Sequence, residues 1–305
     1  MPVSCDLQEL LNKLEGLPPL EELPANPEAA AIYAEALAQP SPWSRPDVAT
    51  EDLAVPSADG TVRVRQYLPA GLPENAPVLV WVHGGGFVSG DLSMNEANMV
   101  ATEVAARTPA RVLSVDYRLA VDGVRFPVPL DDVHAVLEWA TSRFGETSAI
   151  AIGGASAGAN LAASAAIRAV ARGSAVPSTL VLAYPFVHFP VPALDFAVAA
   201  EMAALPAVLR FSADMVEFMT RSYAGRIAEL PAEVMPGSAT LAGLPKTLVL
   251  ISEYDDLRPS GELFVRQLQG SGVEVETWFA AGMLHGFLDR TPELPDVDRA
   301  LDLIA

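Results

Sequence analysis

The chain has 305 residues, of which 51% are hydrophobic, a length that suits one large α/β core with an appended lid. Its 38 acidic and 19 basic residues give a formal net charge of −19, which repels nucleic-acid phosphates and anionic membrane surfaces and argues against polyanion binding. The apolar stretches are interrupted before they reach the roughly 18 to 20 residues of a membrane span, so a soluble protein is expected.

The N-terminal segment, residues 1–50, is predicted to form short helices joined by proline-containing turns, an arm that packs on another part of the protein. The first helix is amphipathic, with leucines on one face at positions Leu7, Leu10, Leu11 and Leu14. This segment has no basic leader and no apolar h-region, so no export signal is expected. Cys5 is the only cysteine, which rules out an internal disulfide and favours a reducing, cytoplasmic location.

From Thr61 onward, short β-rich runs alternate with helical stretches. The predicted strands are TVRVRQYL, VLVWVH, RVLSVDY, AIAIGG, TLVLAYP, TLVLIS and VEVETWF. The predicted helices are Asn95–Arg107, Leu130–Arg143, Ala159–Ala171 and Gly261–Gln269. Several strands are apolar at successive positions, as expected when helices cover both faces of a sheet. The sequence therefore predicts an α/β fold with an open, mostly parallel sheet, built from residues 51–185 and 245–305.

Residues 186–244 interrupt this alternation with prolines and with apolar helical stretches around Asp195–Ala204 and Ser212–Tyr223. The segment lies between two predicted strands and is too long for an ordinary connection in an α/β core. It is either a lid over the site or a continuation of the core, and we favour the lid.

A candidate nucleophile, Ser156, lies in a G-x-S-x-G sequence between a predicted strand and a predicted helix. Gly154 and Gly158 suit a sharp turn that leaves no room for side chains two positions on either side of the serine. Such a turn exposes the serine oxygen at the carboxyl edge of the sheet. The competing interpretation is a chance Gly/Ala/Ser-rich stretch in an alanine-rich protein.

The run His83-Gly-Gly-Gly-Phe87 directly follows the predicted strand VLVWV. Consecutive glycines expose backbone N–H groups that can approach a substrate oxygen, so this run is a candidate oxyanion hole, although a glycine run can also be a flexible loop. We expect His83 to brace the loop, since a histidine at a strand end is more often structural than catalytic.

A serine nucleophile needs an imidazole base that is oriented by a carboxylate. Of the four histidines, His285 is favoured by elimination and because it follows the last predicted strand. Asp255 and Asp256 follow the strand TLVLIS, and the chain order serine, aspartate, histidine is that of the α/β-hydrolase fold. Composition alone does not separate Asp255 from Asp256, one of which is expected to cap the next helix or pair with Arg258.

The chain resembles the hormone-sensitive-lipase family of esterases in five motifs, in the family's order, between about Val78 and Phe287. These are HGGGFVSGD, VDYRLA followed by FPVPLDDV, GASAGANLA, LAGLPKTLVLISEYDDLR and GMLHGF. The resemblance implies an α/β-hydrolase fold and a catalytic triad of Ser156, Asp255 and His285.

The same resemblance implies oxyanion donors at Gly85, Gly86 and the amide of Ala157, with His83 and Gly84 as supporting motif residues. It also implies a cap formed by residues 1–50 and 186–244. Two positions depart from the family pattern. Ala155 stands where the nucleophile pentapeptide usually has Asp, and Val121 with the following Asp-Gly replaces a proline-containing turn.

The predicted function is a serine carboxylesterase that hydrolyses small to medium acyl esters through an acyl-enzyme, with no metal or organic cofactor. Alternatives are a hydrolase of an amide, a lactone or a specialised metabolite, an enzyme that eliminates water, or a non-catalytic receptor. The last resembles the related plant hormone receptor, whose triad is incomplete. The expected partner is a small-molecule ester, without nucleic acid or a membrane span, and a homodimer is suggested by the family alone.

Overall fold

The computed structural model of the protein describes residues 3–37 and 43–305, and the part of the predicted arm at 1–2 and 38–42 lies outside the described residues. One eight-stranded sheet runs through the molecule in the order β1-β2-β4-β3-β5-β6-β7-β8. The strands are β1 Ala49–Ser57, β2 Gly60–Leu68, β3 Val78–Val82, β4 Arg111–Asp116, β5 Ile150–Ala155, β6 Thr179–Ala183, β7 Lys246–Tyr254 and β8 Val275–Leu284.

Strands β3 to β8 are parallel, whereas β2 pairs antiparallel with both β1 and β4. The predicted α/β fold with a mostly parallel sheet is therefore confirmed. The sequence did not predict β1, because this edge strand is largely exposed and lacks a continuous apolar run. The antiparallel partner of β1 begins at Gly60, after a tight turn at Ser57–Gly60.

The α-helices of the described residues are α1 Gln8–Leu14, α2 Pro27–Leu37, α3 Asn95–Arg107, α4 Val128–Phe144, α5 Ala157–Arg172, α6 Phe196–Met202, α7 Ala213–Ala224, α8 Arg258–Gly270 and α9 Pro295–Ile304. Local signals explain several boundaries. Ser212 Oγ accepts the Met215 N–H at 3.0 Å and caps α7, and Gly173 ends α5 in the left-handed conformation. None of these helices in the described ranges is long and apolar enough to cross a membrane.

The core lies on both faces of the sheet, as the unbroken apolar strands predict. In β3, Val80 faces the cluster covered by α4 and α5, whereas Trp81 faces the cluster covered by α3 and α9. The carboxyl ends of the parallel strands consequently meet at one edge, where the loops after β3, β5, β7 and β8 lie.

Candidate active site

Ser156 lies at the turn between β5 and α5, with φ 54° and ψ −116°, a backbone conformation that L-residues rarely adopt. The flanking glycines are required by close packing. A Cβ on Gly154 would lie 2.5 Å from the Val82 carbonyl oxygen, and one on Gly158 would overlap the same oxygen. The turn therefore holds Ser156 in a strained backbone conformation at the carboxyl edge of the sheet. Ser156 is 8% exposed to solvent.

The structure brings Ser156, His285 and Asp255 together. His285 Nε2 lies 2.9 Å from Ser156 Oγ, and His285 Nδ1 lies 2.7 Å from Asp255 Oδ2. Asp255 is anchored in turn, because its Oδ1 accepts the Leu257 N–H at 2.8 Å. With the proton on Nδ1 shared with Asp255, Nε2 is left to accept the serine hydroxyl hydrogen, the arrangement that a general base needs.

The pKa of His285 is raised above 6.5 by its surroundings. Burial alone lowers it, but the negative charge of Asp255 and the hydrogen bond to that carboxylate outweigh burial, with smaller contributions from Glu96 and Asp256. The site is therefore arranged to stabilise an imidazolium, which forms when the base takes a proton.

The glycine loop after β3 lies beside the serine. Gly85 and Gly86 have φ values of 103° and 61°, and both line the pocket that contains Ser156 and His285. A Cβ on Gly85 would overlap the Ser89 backbone carbonyl, so only glycine fits there. Ala157 is the first residue of α5, where backbone N–H groups have no partner within the helix.

His83 and Gly84 form the supporting part of this loop. His83 is buried and donates from Nδ1 to the Gly84 carbonyl at 2.8 Å, and its ring stacks on Tyr117 at a centroid distance of 4.5 Å. The Tyr117 hydroxyl donates to the His83 and Gly84 carbonyl oxygens at 3.2 and 3.1 Å. Burial lowers the pKa of His83, which favours a neutral imidazole in this position.

The remaining histidines have other partners. His188 is held between Ser260 Oγ and Gln267 Oε1, each at 3.0 Å. His134 lies in α4, with Nε2 3.3 Å from Glu138. Asp256 pairs with Arg210 at 2.8 Å, and not with Arg258 as one alternative predicted. Arg258 pairs instead with Glu262.

A cavity of about 320 Å³ opens onto the serine. Besides the glycine loop, its mostly apolar walls come from the N-terminal segment, from residues 186–244 and from the region around His285. The sequence did not predict that these residues would line a pocket: Leu7, Leu20, Tyr33, Leu37, Val208, Met215, Met219, Glu96, Asp289 and Arg290. Phe211 also lines the cavity, with its ring centroid 4.7 Å from that of His285.

The two departures from the family pattern lie in different surroundings. Ala155 is fully buried at the end of β5, on the face of the sheet covered by α3. Val121 is 41% exposed and begins a turn in which Asp122 and Gly123 have φ values of 51° and 88°. The second departure therefore reshapes a surface turn, whereas the first changes the buried region behind the serine.

Comparison with known proteins identifies the family of this chain. Residues 79–289 match the family described as alpha/beta hydrolase fold. Esterase LipI of Mycobacterium tuberculosis is 33% identical over 84% of this chain and 80% of its own length, and carboxylesterase NlhH of the same organism is 33% identical over 75% and 72%. The solved hyperthermophilic esterase of the archaeon Pyrobaculum calidifontis superposes with a TM-score of 0.81 at 31% identity, covering 100% of this chain and 97% of that chain. This chain therefore belongs to the hormone-sensitive-lipase-like family of the α/β-hydrolase fold.

Proposed function

We propose that the protein is a serine carboxylesterase that hydrolyses small to medium acyl esters, with Ser156 as nucleophile, His285 as general base and Asp255 as the orienting acid. The observation that carries the proposal is the pair of hydrogen bonds, 2.9 Å and 2.7 Å, that links these side chains beside an apolar pocket. The relatives and structural neighbours named as esterases support the same reaction class.

The reaction begins when Ser156 Oγ attacks the ester carbonyl carbon and its proton passes to His285 Nε2. The tetrahedral intermediate collapses, the bond to the alcohol oxygen breaks, and His285 returns the proton to the departing alcohol. Water then attacks the acyl-enzyme with His285 again as base, which releases the carboxylic acid and restores Ser156. Asp255 stays ionised and stabilises the imidazolium in both halves.

The oxyanion is assigned to the backbone N–H groups of Gly85, Gly86 and Ala157. The positive φ angles of the two glycines fit a loop shaped to turn its amides toward one point. Ala157 contributes from the N-terminal end of α5, where unpaired N–H groups and the helix dipole favour negative charge.

The cap is assigned to residues 1–50 and 186–244, since described parts of both segments line the pocket. Leu20 and Leu37 come from the first segment, and Val208 and Met215 from the second. Their apolar side chains suit the hydrocarbon part of an ester. A cavity of about 320 Å³ suits small to medium acyl groups.

We also propose that the protein is cytoplasmic and forms a homodimer. Cys5 is free and exposed, which suits a reducing compartment. The homodimer rests on the family resemblance, and sedimentation analysis of the purified protein tests it.

The deciding experiment is turnover of p-nitrophenyl esters from acetate to palmitate, with fluorophosphonate labelling and a Ser156→Ala variant. We expect turnover of the shorter esters, labelling of Ser156, and a loss of at least about 10³-fold in kcat in the variant. The matched control is Ser178→Ala, since Ser178 directly precedes β6, at the amino edge of the sheet and away from Ser156, and its hydroxyl donates to the Ile150 carbonyl. Full turnover by Ser156→Ala would refute the nucleophile. A labelled protein that cleaves no ester would favour an amide, a lactone or a specialised metabolite, and an unlabelled one would favour a receptor.

A further inference from the structure

Glu96, the second residue of α3, places a carboxylate in the interior beside the glycine loop. It is 3% exposed. Its Oε2 accepts the Gly84 N–H at 2.6 Å, and its Oε1 accepts the Tyr184 hydroxyl at 2.5 Å. In the ranges that the structure describes, no basic side chain lies within ion-pair distance of it. A buried carboxylate is costly unless it is hydrogen-bonded, so these two donors are what stabilise it here.

Both groups that Glu96 holds lie next to residues of the proposed site. Gly84 precedes the oxyanion glycines, and a Cβ on Gly84 would lie 2.5 Å from Glu96 Oε2 and 3.3 Å from Ser156 Cβ. Gly84 therefore packs closely against both the carboxylate of Glu96 and the nucleophile residue. The ring of Tyr184 lies edge-on to that of His285 at a centroid distance of 4.8 Å.

The backbone of Glu96 is itself fixed from two sides. Its carbonyl accepts the Trp81 indole N–H at 2.8 Å, and its N–H donates to Asp289 Oδ1 at 3.2 Å. Trp81 is in β3, directly before the glycine loop, and Asp289 follows the loop of His285. One residue thus joins the strand before the oxyanion loop to the segment after the base.

We propose that Glu96 is a positioning residue for the reaction. Its carboxylate holds the Gly84–Gly86 loop and, through Tyr184, the ring of His285 in the positions that the reaction requires. This inference rests on the proposed esterase function. Ala155 lies in the same buried cluster as Trp81 and Tyr184, so the carboxylate of Glu96 occupies the side of the sheet toward which an acid at position 155 would point.

The charge of Glu96 also acts on the base. It is one of the groups that raise the pKa of His285, together with Asp255 and Asp256. The pKa of Glu96 is raised by burial and, to a smaller extent, by Asp289, whereas Tyr184 and His285 lower it. The pKa of Tyr184 is raised well above its usual value by burial and by Glu96, so the phenol stays protonated and donates.

The test is Glu96→Gln, which keeps the shape of the side chain and removes its charge. We expect kcat for a short p-nitrophenyl ester to fall about 10- to 100-fold with little change in KM, because a small displacement of reacting groups costs that much. We also expect the acid limb of the kcat/KM profile to move to lower pH, since the variant lacks a charge that raises the pKa of His285. A role confined to packing would leave that limb in place.

The matched control is Glu103→Gln, the same change on the same helix at a buried acid that bonds Trp43 and Arg107. We expect its kcat and pH profile to match those of the unmodified protein. If Glu96→Gln proves unfolded by circular dichroism, Tyr184→Phe replaces it, because that variant removes one bond and leaves the Gly84 bond intact.

The outcomes separate the two proposals. An active, labelled wild-type protein whose folded variant keeps kcat within about twofold and the same acid limb would overturn the role of Glu96 alone. A wild-type protein that neither labels nor cleaves esters would overturn the proposed function, and the positioning role with it.

Discussion

Arg210, in the segment 186–244 that we propose as part of a cap, and Asp256, the residue after Asp255, form a two-point ion pair, with Nε to Oδ2 and Nη2 to Oδ1 both at 2.8 Å. Asp256 Oδ2 also accepts the Phe211 N–H at 2.8 Å, and the Phe211 ring lies against His285. One carboxylate therefore connects the proposed cap segment to the loop that carries the acid of the proposed triad.

Replacing Asp256 by Asn is expected to lower the free energy of unfolding by about 1 to 3 kcal/mol, because Arg210 loses its counter-charge while still half-buried. Urea denaturation measures the difference. The control is Glu217→Gln, which breaks an exposed pair with Arg221 and should change stability by no more than about 0.5 kcal/mol. Equal effects of the two substitutions would contradict a fastening role for Asp256.

The neighbouring acids should differ sharply in catalysis. Asp255→Asn removes the charge bonded to His285 Nδ1 and is expected to lower kcat by about 10³- to 10⁴-fold, since the imidazole loses its tautomeric preference and its counter-ion. Asp256→Asn should cost less than about tenfold, because that carboxylate bonds the cap and not the imidazole. Steady-state kinetics on one short ester checks both. A larger loss with Asp256→Asn would reverse the assignment of the acid.

The proximity of the three predicted triad residues follows from local turns and from strand order, and their catalytic roles stay a prediction. Ser156, Asp255 and His285 each follow a strand of the parallel sheet, and the carboxyl ends of such strands share one edge. The fold was predictable for the same reason, since the strands buried on both faces are apolar throughout.

The contacts that complete the site were not predictable, because they join residues far apart in the chain. Glu96 meets Tyr184 across 88 positions, and Arg210 meets Asp256 across 46. Nothing near Glu96 in the sequence distinguishes it from an ordinary acid in the first turn of a helix, where carboxylates are common. Leu7 could be assigned to the apolar face of a helix but not to the pocket that it lines.

Activity should fall as the pH falls through the raised pKa of His285, because only the neutral imidazole accepts the proton of Ser156. The midpoint of the acid limb of kcat/KM is therefore expected above 6.5. Asp256→Asn removes one of the charges that raise this pKa and should move the limb to lower pH, whereas Glu217→Gln should not. An unchanged limb in the first variant would show that Asp256 has no electrostatic effect on the base.

Protonation of His285 has opposite effects on activity and on stability, because it lowers activity but stabilises the folded protein. A folded-state pKa above the unfolded value of 6.5 means that protonation stabilises the native protein. This contribution is fully present below the unfolded pKa and is lost as the pH rises through the folded pKa. His285→Gln should abolish it, so the free energy of unfolding of wild type relative to this variant is expected to decrease as the pH rises through that window. A pH-independent difference would contradict the raised pKa.

Gly86 offers a test of how closely the proposed oxyanion loop packs against the proposed cap segment. Its φ is 61°, and an added Cβ would lie 2.6 Å from Met219 Sδ on α7. Gly86→Ala is expected to lower kcat by about 10- to 100-fold, because the left-handed conformation costs a side chain about 1 to 2 kcal/mol and the clash displaces the loop.

Adding Met219→Ala to Gly86→Ala removes the clash but not the backbone strain, so the double variant should recover only part of the lost kcat. The control is Gly71→Ala, which carries similar strain at φ 71° with no atom within 4 Å and lies before β3, away from the carboxyl edge. Gly71→Ala should lower stability and leave kcat unchanged. Full recovery of kcat in the Gly86→Ala, Met219→Ala double variant would mean that steric overlap alone, and not backbone conformation, requires glycine at position 86.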